Sequence, residues 1–390
     1  MAVNLTNADS ALKSFYLDAV SEQLNNKVNP FFAKIKQSTA DVWGKDVKKL
    51  AIYGMNGGIG AGTEDGNLPD ASSNNYAQMV STLKNLYGTI EISDKAVRAS
   101  ENNSGAFVSL LNAEMDGLIN SSTFNFGRML FGDGTGVIAT VSGVENGVIT
   151  LDGVKNVLEG MLVDFRDAES GEIISGGRKI AFVDRTAKTV TVTGTALNET
   201  TVPVGSLVSV QGSYNNEITG LKAIFDTEKD IYGLSRKSNS WLNPTKVQVD
   251  GEITEIDIQT ALDEIEEKSG SAVDIIVCSW GVRRALQKLF SASNRNVNVL
   301  ELEGGFKAMS YNGIPVVADR FCPDGTMYLL NSADFTLHQL CDWQWLAGED
   351  GKVLKQIAGK PVYTATLVKY AELICAKPYG QGVITGITEA

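Results

Sequence analysis

A serine, an aspartate and the only histidine of the chain stand in an order that could support nucleophilic catalysis. Ser279 lies in Val277-Cys278-Ser279-Trp280-Gly281, and Asp319 and His338 follow later. In an α/β-hydrolase the nucleophile sits on a sharp strand-to-helix turn, and the acid and the imidazole come after it in that order. Two features oppose this reading. Val277 occupies the place where the turn needs a glycine, and the strands that should precede such an elbow are missing. Ser279 is read better as the N-cap of the helix that follows it. His338 would carry any imidazole step, with Asp334 and Asp342 one turn to either side if the segment is helical. Beside Leu337 and Leu340, a packed, hydrogen-bonded histidine is the simpler account.

Other chemistry is weaker. The run Gly54-Met55-Asn56-Gly57-Gly58-Ile59-Gly60-Ala61-Gly62 could suggest a phosphate loop, but no Gly-Lys-Ser or Gly-Lys-Thr follows and no helix opens there. A flexible loop tip fits it better. Cys278, Cys322, Cys341 and Cys375 are far apart, with no Cys-x-x-Cys pair, so a zinc site is not expected and buried free thiols are. Arg283, Arg284 and Lys288 form a basic helix stripe, and Asp263-Glu264 with Glu266-Glu267 form an acidic one. The basic stripe is expected to be a solvated face or a subunit salt bridge rather than a DNA contact, and the acidic one a solvated helix face rather than a paired-carboxylate site. No cofactor and no metal is expected.

The bulk properties point the same way. The 390 residues are 43% hydrophobic and carry a net charge of −12, enough apolar content for a sizeable core and a balance that repels phosphates and anionic lipid. No run is long and apolar enough to span a bilayer, and the N-terminus lacks the pattern of a secretory signal, which leads us to expect a cytoplasmic product.

Several elements would position these residues. Leu12, Phe15, Tyr16, Ala19, Val20 and Leu24 predict an amphipathic helix over 8–26, ended by Asn29-Pro30. Val47 to Tyr53 and Tyr76 to Ile92 read as the two sides of a long hairpin, crossed by the polar, glycine-rich stretch from Gly54 to Asn75. Phe107, Leu111, Met115, Leu118, Ile119, Phe126, Met129 and Leu130 keep a helical period from Ser104 to Phe131, which Gly132-Asp133-Gly134-Thr135-Gly136 stops. Residues 138–213 become β-branched and turn-rich, with Asn146-Gly147 as a tight-hairpin signal. Beyond Thr245 the chain alternates: a helix from Glu255 to Lys268, a strand from Val273 to Cys278, a helix from Trp280 to Phe290, strands at Ile314–Ala318 and Met327–Leu330, and strand-like content from Val362 to Ala376.

Two stretches carry a resemblance. The first runs from Gly54-Met55-Asn56-Gly57-Gly58-Ile59-Gly60-Ala61-Gly62-Thr63-Glu64 through Leu68-Pro69. The second is Asn312-Gly313-Ile314-Pro315-Val316-Val317-Ala318-Asp319, followed by Pro323-Asp324-Gly325-Thr326-Met327-Tyr328-Leu329-Leu330-Asn331. With the order of elements, they make the chain resemble tailed-bacteriophage major capsid proteins of the Hong Kong-97-type fold. The resemblance implies an α+β fold with an N-arm (1–40), an E-loop hairpin (41–95) and a P-domain with its spine helix (96–137, continued at 214–252). It further implies an inserted small β-barrel (138–213), an A-domain (253–342) and closing strands (343–390).

By the same resemblance the chain is a non-enzymatic shell protein of the virion. It would self-assemble into hexamers and pentamers around double-stranded DNA, without sequence-specific binding and away from any membrane. Its expected partners are a separate scaffolding protein, since about forty residues before the hairpin are too few for a fused scaffold, a portal, and a decoration protein as a further candidate. The tip lacks lysine, which argues against covalent cross-linking there; Lys45, Lys48 and Lys49 stand at its base. Candidate inter-subunit contacts are Phe15, Tyr16, Ile59, Glu64, Leu68, Arg283 and Arg284. An encapsulin-type nanocompartment is the alternative within the fold, and a serine hydrolase using Ser279, Asp319 and His338 the alternative outside it.

Overall fold

The computed structural model describes residues 29–95, 104–292, 299–301, 307–347 and 353–390. The helix expected over 8–26, with Phe15 and Tyr16, lies outside them. A short helix α1 (Pro30–Lys34) leads into β1 (Lys36–Ser38), β2 (Val42–Trp43), β3 (Asp46–Tyr53), β4 (Asn75–Thr82) and β5 (Lys84–Ser93). The long helix α2 (Ser104–Phe131) follows. Next come β6 (Val137–Glu145), β7 (Val148–Leu151), β8 (Leu162–Arg166), β9 (Ile173–Asp184), β10 (Thr189–Val192) and β11 (Leu207–Val210). Then α3 (Leu221–Phe225) and β12 (Thr245–Gly251) precede α4 (Glu255–Ser269), β13 (Ile275–Cys278) and α5 (Trp280–Ala292). The chain closes with β14 (Val299–Glu301), β15 (Lys307–Tyr311), β16 (Ile314–Ala318), β17 (Met327–Leu330), β18 (Phe335–Trp345), β19 (Lys355–Gln356), β20 (Val362–Cys375) and β21 (Gly382–Ile387).

The strand β20 is the spine of one sheet, flanked by β18 and β19 on one side and β5 on the other, with β1 added in parallel to β18. Helix α2 crosses this sheet at β5. Leu86, Ile90 and Ile92 face inward at alternate positions, and Gly88 lets the helix come close, because a Cβ there would lie 2.9 Å from the Leu118 side chain. Phe126 of α2 meets Phe32 and Trp343 edge to face at ring separations of 5.1 and 6.2 Å, joining helix, α1 and sheet into one core.

A second, mixed sheet has the order β12-β21-β17-β13-β16-β15-β14. Its central strand β13 is buried on both faces, which is why it reads as an unbroken apolar run. Ile275 and Val277 join the core under α2, while Ile276 and Cys278 join a second core with Ile258 and Ile265 of α4 and Val282 and Leu286 of α5. Both helices therefore cover the same face of this sheet. Helix α4 starts in a capping box, with Thr254 and Asp257 satisfying each other's backbone N–H groups, and stops at Gly270 in the left-handed region.

The six strands β6 to β11 close into a barrel in the order β10-β7-β6-β11-β8-β9, around Ile149, Val163, Phe165, Ile180, Val190 and Val208. Asn146 and Gly147 both have positive φ, +52° and +80°, as the two-residue hairpin turn requires. The barrel enters and leaves the rest of the chain at one point, where Asn215 N–H donates to the Thr135 carbonyl at 2.8 Å. The architecture is α+β, with the small barrel inserted between α2 and α3.

One expectation needs correction, and the conformation around His338, which the sequence left open, is decided. The return side of the hairpin is not one strand: it breaks at Leu83, so that β4 pairs with β3 while β5 turns away to pair with β20. The inward Leu86, Ile90 and Ile92 bind it to the larger core. The segment around His338 is a strand, not a helix. Phe335, Leu337, Trp343 and Trp345 are buried at two-residue spacing, interrupted by bulges between Gln339 and Gln344.

Candidate assembly surface

The β3–β4 hairpin has two unlike faces, set by the two-residue alternation of its strands. Val47, Ala51 and Met79 are buried against the body of the chain. The opposite face carries Leu50 and Ile52, each 61% exposed, beside Gln78 and Tyr76, their cross-strand partners. The base is fastened where Val80 N–H donates to the Tyr232 carbonyl at 2.9 Å, Leu83 N–H to the Lys45 carbonyl at 2.8 Å, and Tyr53 stacks on Trp241 at 5.1 Å. Beyond Tyr53 the chain runs through residues 54–74 without a strand, and Met55, Ile59 and Leu68 are exposed, the last at 89%. Glu64 lies in the same exposed tip. Fully burying one such aliphatic side chain stabilises by about 1.5–3 kcal/mol. An apolar face of this kind, left uncovered by the described residues, is a candidate contact surface.

Arg283 and Arg284 lie far from the tip, on α5. Arg283 stacks over the ring of Trp280, 5.7 Å away, and Arg284 donates to the Ala390 carbonyl at 2.5 Å. The structure therefore does not gather the sequence-derived contact residues into one patch. Ile59, Glu64 and Leu68 share the hairpin tip, and the two arginines share a helix on the mixed sheet.

The hydrolase constellation does not form. The Ser279 hydroxyl donates to the Glu389 carboxylate and accepts the Val282 N–H at 3.3 Å, acting as the cap of α5. Asp319 is buried after β16, its Oδ1 accepting the Phe321 N–H at 2.8 Å; burial pushes its carboxyl up to about 6. His338 belongs to the other sheet, where Nδ1 lies 3.0 Å from the Ala40 carbonyl and burial lowers its pKa. None of the hydrogen bonds a triad needs is made among the described residues. Cys278 is buried, and its thiol is pushed up to about 12, so it is inert as a nucleophile.

Sequence reasoning passed over a set of buried charges around α2 and β20. Arg128 of α2 pairs with Glu217 in a two-point contact, at 2.9 and 2.5 Å, with both side chains buried. Lys369 of β20 is fully buried, reaches Asp342 at 2.7 Å and lies 5.6 and 5.8 Å from the ring centres of Phe126 and Trp343; desolvation lowers its pKa, which Asp342 partly offsets. Glu372, also fully buried, is pushed up to about 7 by desolvation. The available signal was weak: single charges inside otherwise apolar strand and helix patterns.

Residues 210–352 match the family model of the SU10 major capsid protein, a span that starts at the end of the barrel. No curated protein sequence matches the chain. Among solved structures, the capsid asymmetric unit of cyanophage A-1(L) superposes with a TM-score of 0.54 at 13% identity, over 91% of this chain and 91% of that one. The capsid of an empty GTA particle gives 0.48 at 10% identity, over 93% and 90%. An encapsulin complex of Synechococcus elongatus gives 0.47 at 9% identity, over 93% and 89%. The likeness to the cyanophage capsid shows a shared fold, the Hong Kong-97-type α+β fold with an inserted barrel here, and the family match lies in the stretch that follows that barrel.

Proposed function

We propose that this chain builds the icosahedral head shell of a phage by self-assembly into hexamers and pentamers that enclose double-stranded DNA in the virion. The observation that carries the reading is the two-faced hairpin: one face is locked to its own chain, and the other presents Leu50, Ile52 and Tyr76, with Ile59, Glu64 and Leu68 beyond, to a neighbouring copy. Residues 41–95 then act as the E-loop, 96–137 and 214–252 as the P-domain, 253–342 as the A-domain and 343–390 as its closing strands, with 138–213 as a module set into the P-domain. Phe15 and Tyr16 of the N-arm (1–40) provide a second reach to a neighbour. Assembly takes place in the host cytoplasm on a separate scaffolding protein, around a portal, and a decoration protein is a further partner. The shell subunit performs no catalysis.

Sizing chromatography and negative-stain microscopy of the protein, expressed with and without its neighbouring phage genes, test this. Closed shells or six- and five-membered rings are expected, with DNA protected from nuclease in particles from infected cells. Leu50→Glu with Ile52→Glu should abolish the particles and leave the subunit's melting temperature unchanged. A monodisperse monomer under every condition would overturn the reading.

A further inference from the structure

Helices α4 and α5 carry opposite charge on their outward stripes. In α4, Asp263, Glu266 and Glu267 are exposed along the stripe that begins at Ile256, itself 75% exposed. In α5, Trp280 is 50% exposed and is followed on the same stripe by Arg284 and Lys288, and the helix contains no acidic residue. Both helices pack on one face of the mixed sheet, α4 over β12 and β21 at one end and α5 over β16 beyond the intervening β17 and β13. No salt bridge joins the two stripes within the chain among the described residues. The contacts they do make are exposed: Lys288 with Glu252 at 2.8 Å, Lys268 with Glu264 at 3.1 Å, and Gln259 with Asp263 at 2.6 Å. Arg284 uses one of its five N–H groups on the Ala390 carbonyl.

We propose that the acidic stripe of α4 in one copy docks on the basic stripe of α5 in the next, a head-to-tail contact that gives the capsomer ring its direction. The inference rests on the assembly reading above and adds to it the pair of surfaces that meet. A two-fold contact centred on one stripe would set like charge against like, whereas a rotation that brings one end of the sheet against the other end of its neighbour sets opposite charges together and closes a ring. Ile256 and Trp280 supply an apolar anchor at the start of each stripe, and the surrounding charges set register and speed of encounter.

The test is a charge swap in the full-length chain. Arg284→Glu with Lys288→Glu, and separately Asp263→Lys with Glu267→Lys, should each lower the yield of sedimenting rings and shells about tenfold or more. The chain carrying all four substitutions should recover most of the wild-type yield, because every interface regains opposite charges. Arg284→Gln with Asp263→Asn, which preserves side-chain size, should make assembly less sensitive than the wild type to raising salt to about 0.5 M. The pairing is overturned if the fourfold variant assembles no better than either half, or if both halves assemble like the wild type. Should the wild type itself form no rings or shells, the assembly reading falls with it; wild-type shells without rescue remove the helix pairing alone.

Discussion

Glu372 should make the subunit lose stability as pH rises through neutrality. The side chain is fully buried on β20; Oε1 accepts N–H groups from Thr219 at 2.8 Å and Leu373 at 3.1 Å, and Oε2 has no hydrogen-bond partner among the described residues. Desolvation is the largest influence and raises the pKa from 4.5 to about 7, against the pull of those donors and of Lys84. Between these values the folded chain holds a proton that the unfolded chain has released. The contribution is therefore fully present below about 4.5 and is lost as pH rises through about 7. In a Glu372→Gln variant the amide keeps an acceptor for the two N–H groups and does not titrate. Urea unfolding of dispersed subunits should show the wild type losing about 2–3 kcal/mol relative to this variant between about pH 5 and pH 8. Asp319, pushed up to about 6, acts in the same direction, and burial lowers the pKa of His338, but both groups are present in the two proteins. Parallel pH profiles for wild type and variant would refute the argument.

Two further outcomes follow from the same structure. Arg128→Ala leaves Glu217 buried without its partner and should cost about 3–5 kcal/mol, measured by urea unfolding; Arg128→Met with Glu217→Leu should recover most of it, and additive losses in the double variant would contradict the pairing. Excision of 137–213 with a short glycine linker should leave a soluble subunit with the same elution behaviour for its size. The barrel has its own core, its ends meet at Thr135 and Asn215, and its salt bridge to the loop before β17, Lys155 to Asp324 at 2.6 Å, is largely exposed and worth at most about 1 kcal/mol; an insoluble product would show that the barrel supports the rest of the chain.

Elements whose pattern is local were legible in the chain. The period of Met115, Ile119, Phe126 and Leu130 specified the long helix, Asn146-Gly147 specified a barrel hairpin, and the glycine-rich run from Gly54 specified an uncovered tip, because each depends on backbone preferences within a few residues. The alternation Leu86, Ile90, Ile92 was equally visible, but it names only a face. Whether that face meets β3, as the hairpin suggested, or β20 and the spine helix depends on which partner buries more surface, and that partner lies nearly 300 residues away. The same limit applied to Ser279, whose order with Asp319 and His338 permitted a triad until the two sheets separated them and Glu389 took the hydroxyl. Burial of Lys369 and Glu372 was likewise decided only by the tertiary structure. A charge inside an apolar strand reads the same whether it meets solvent or a buried partner, and the desolvation that sets its pKa arises only when distant elements close over it.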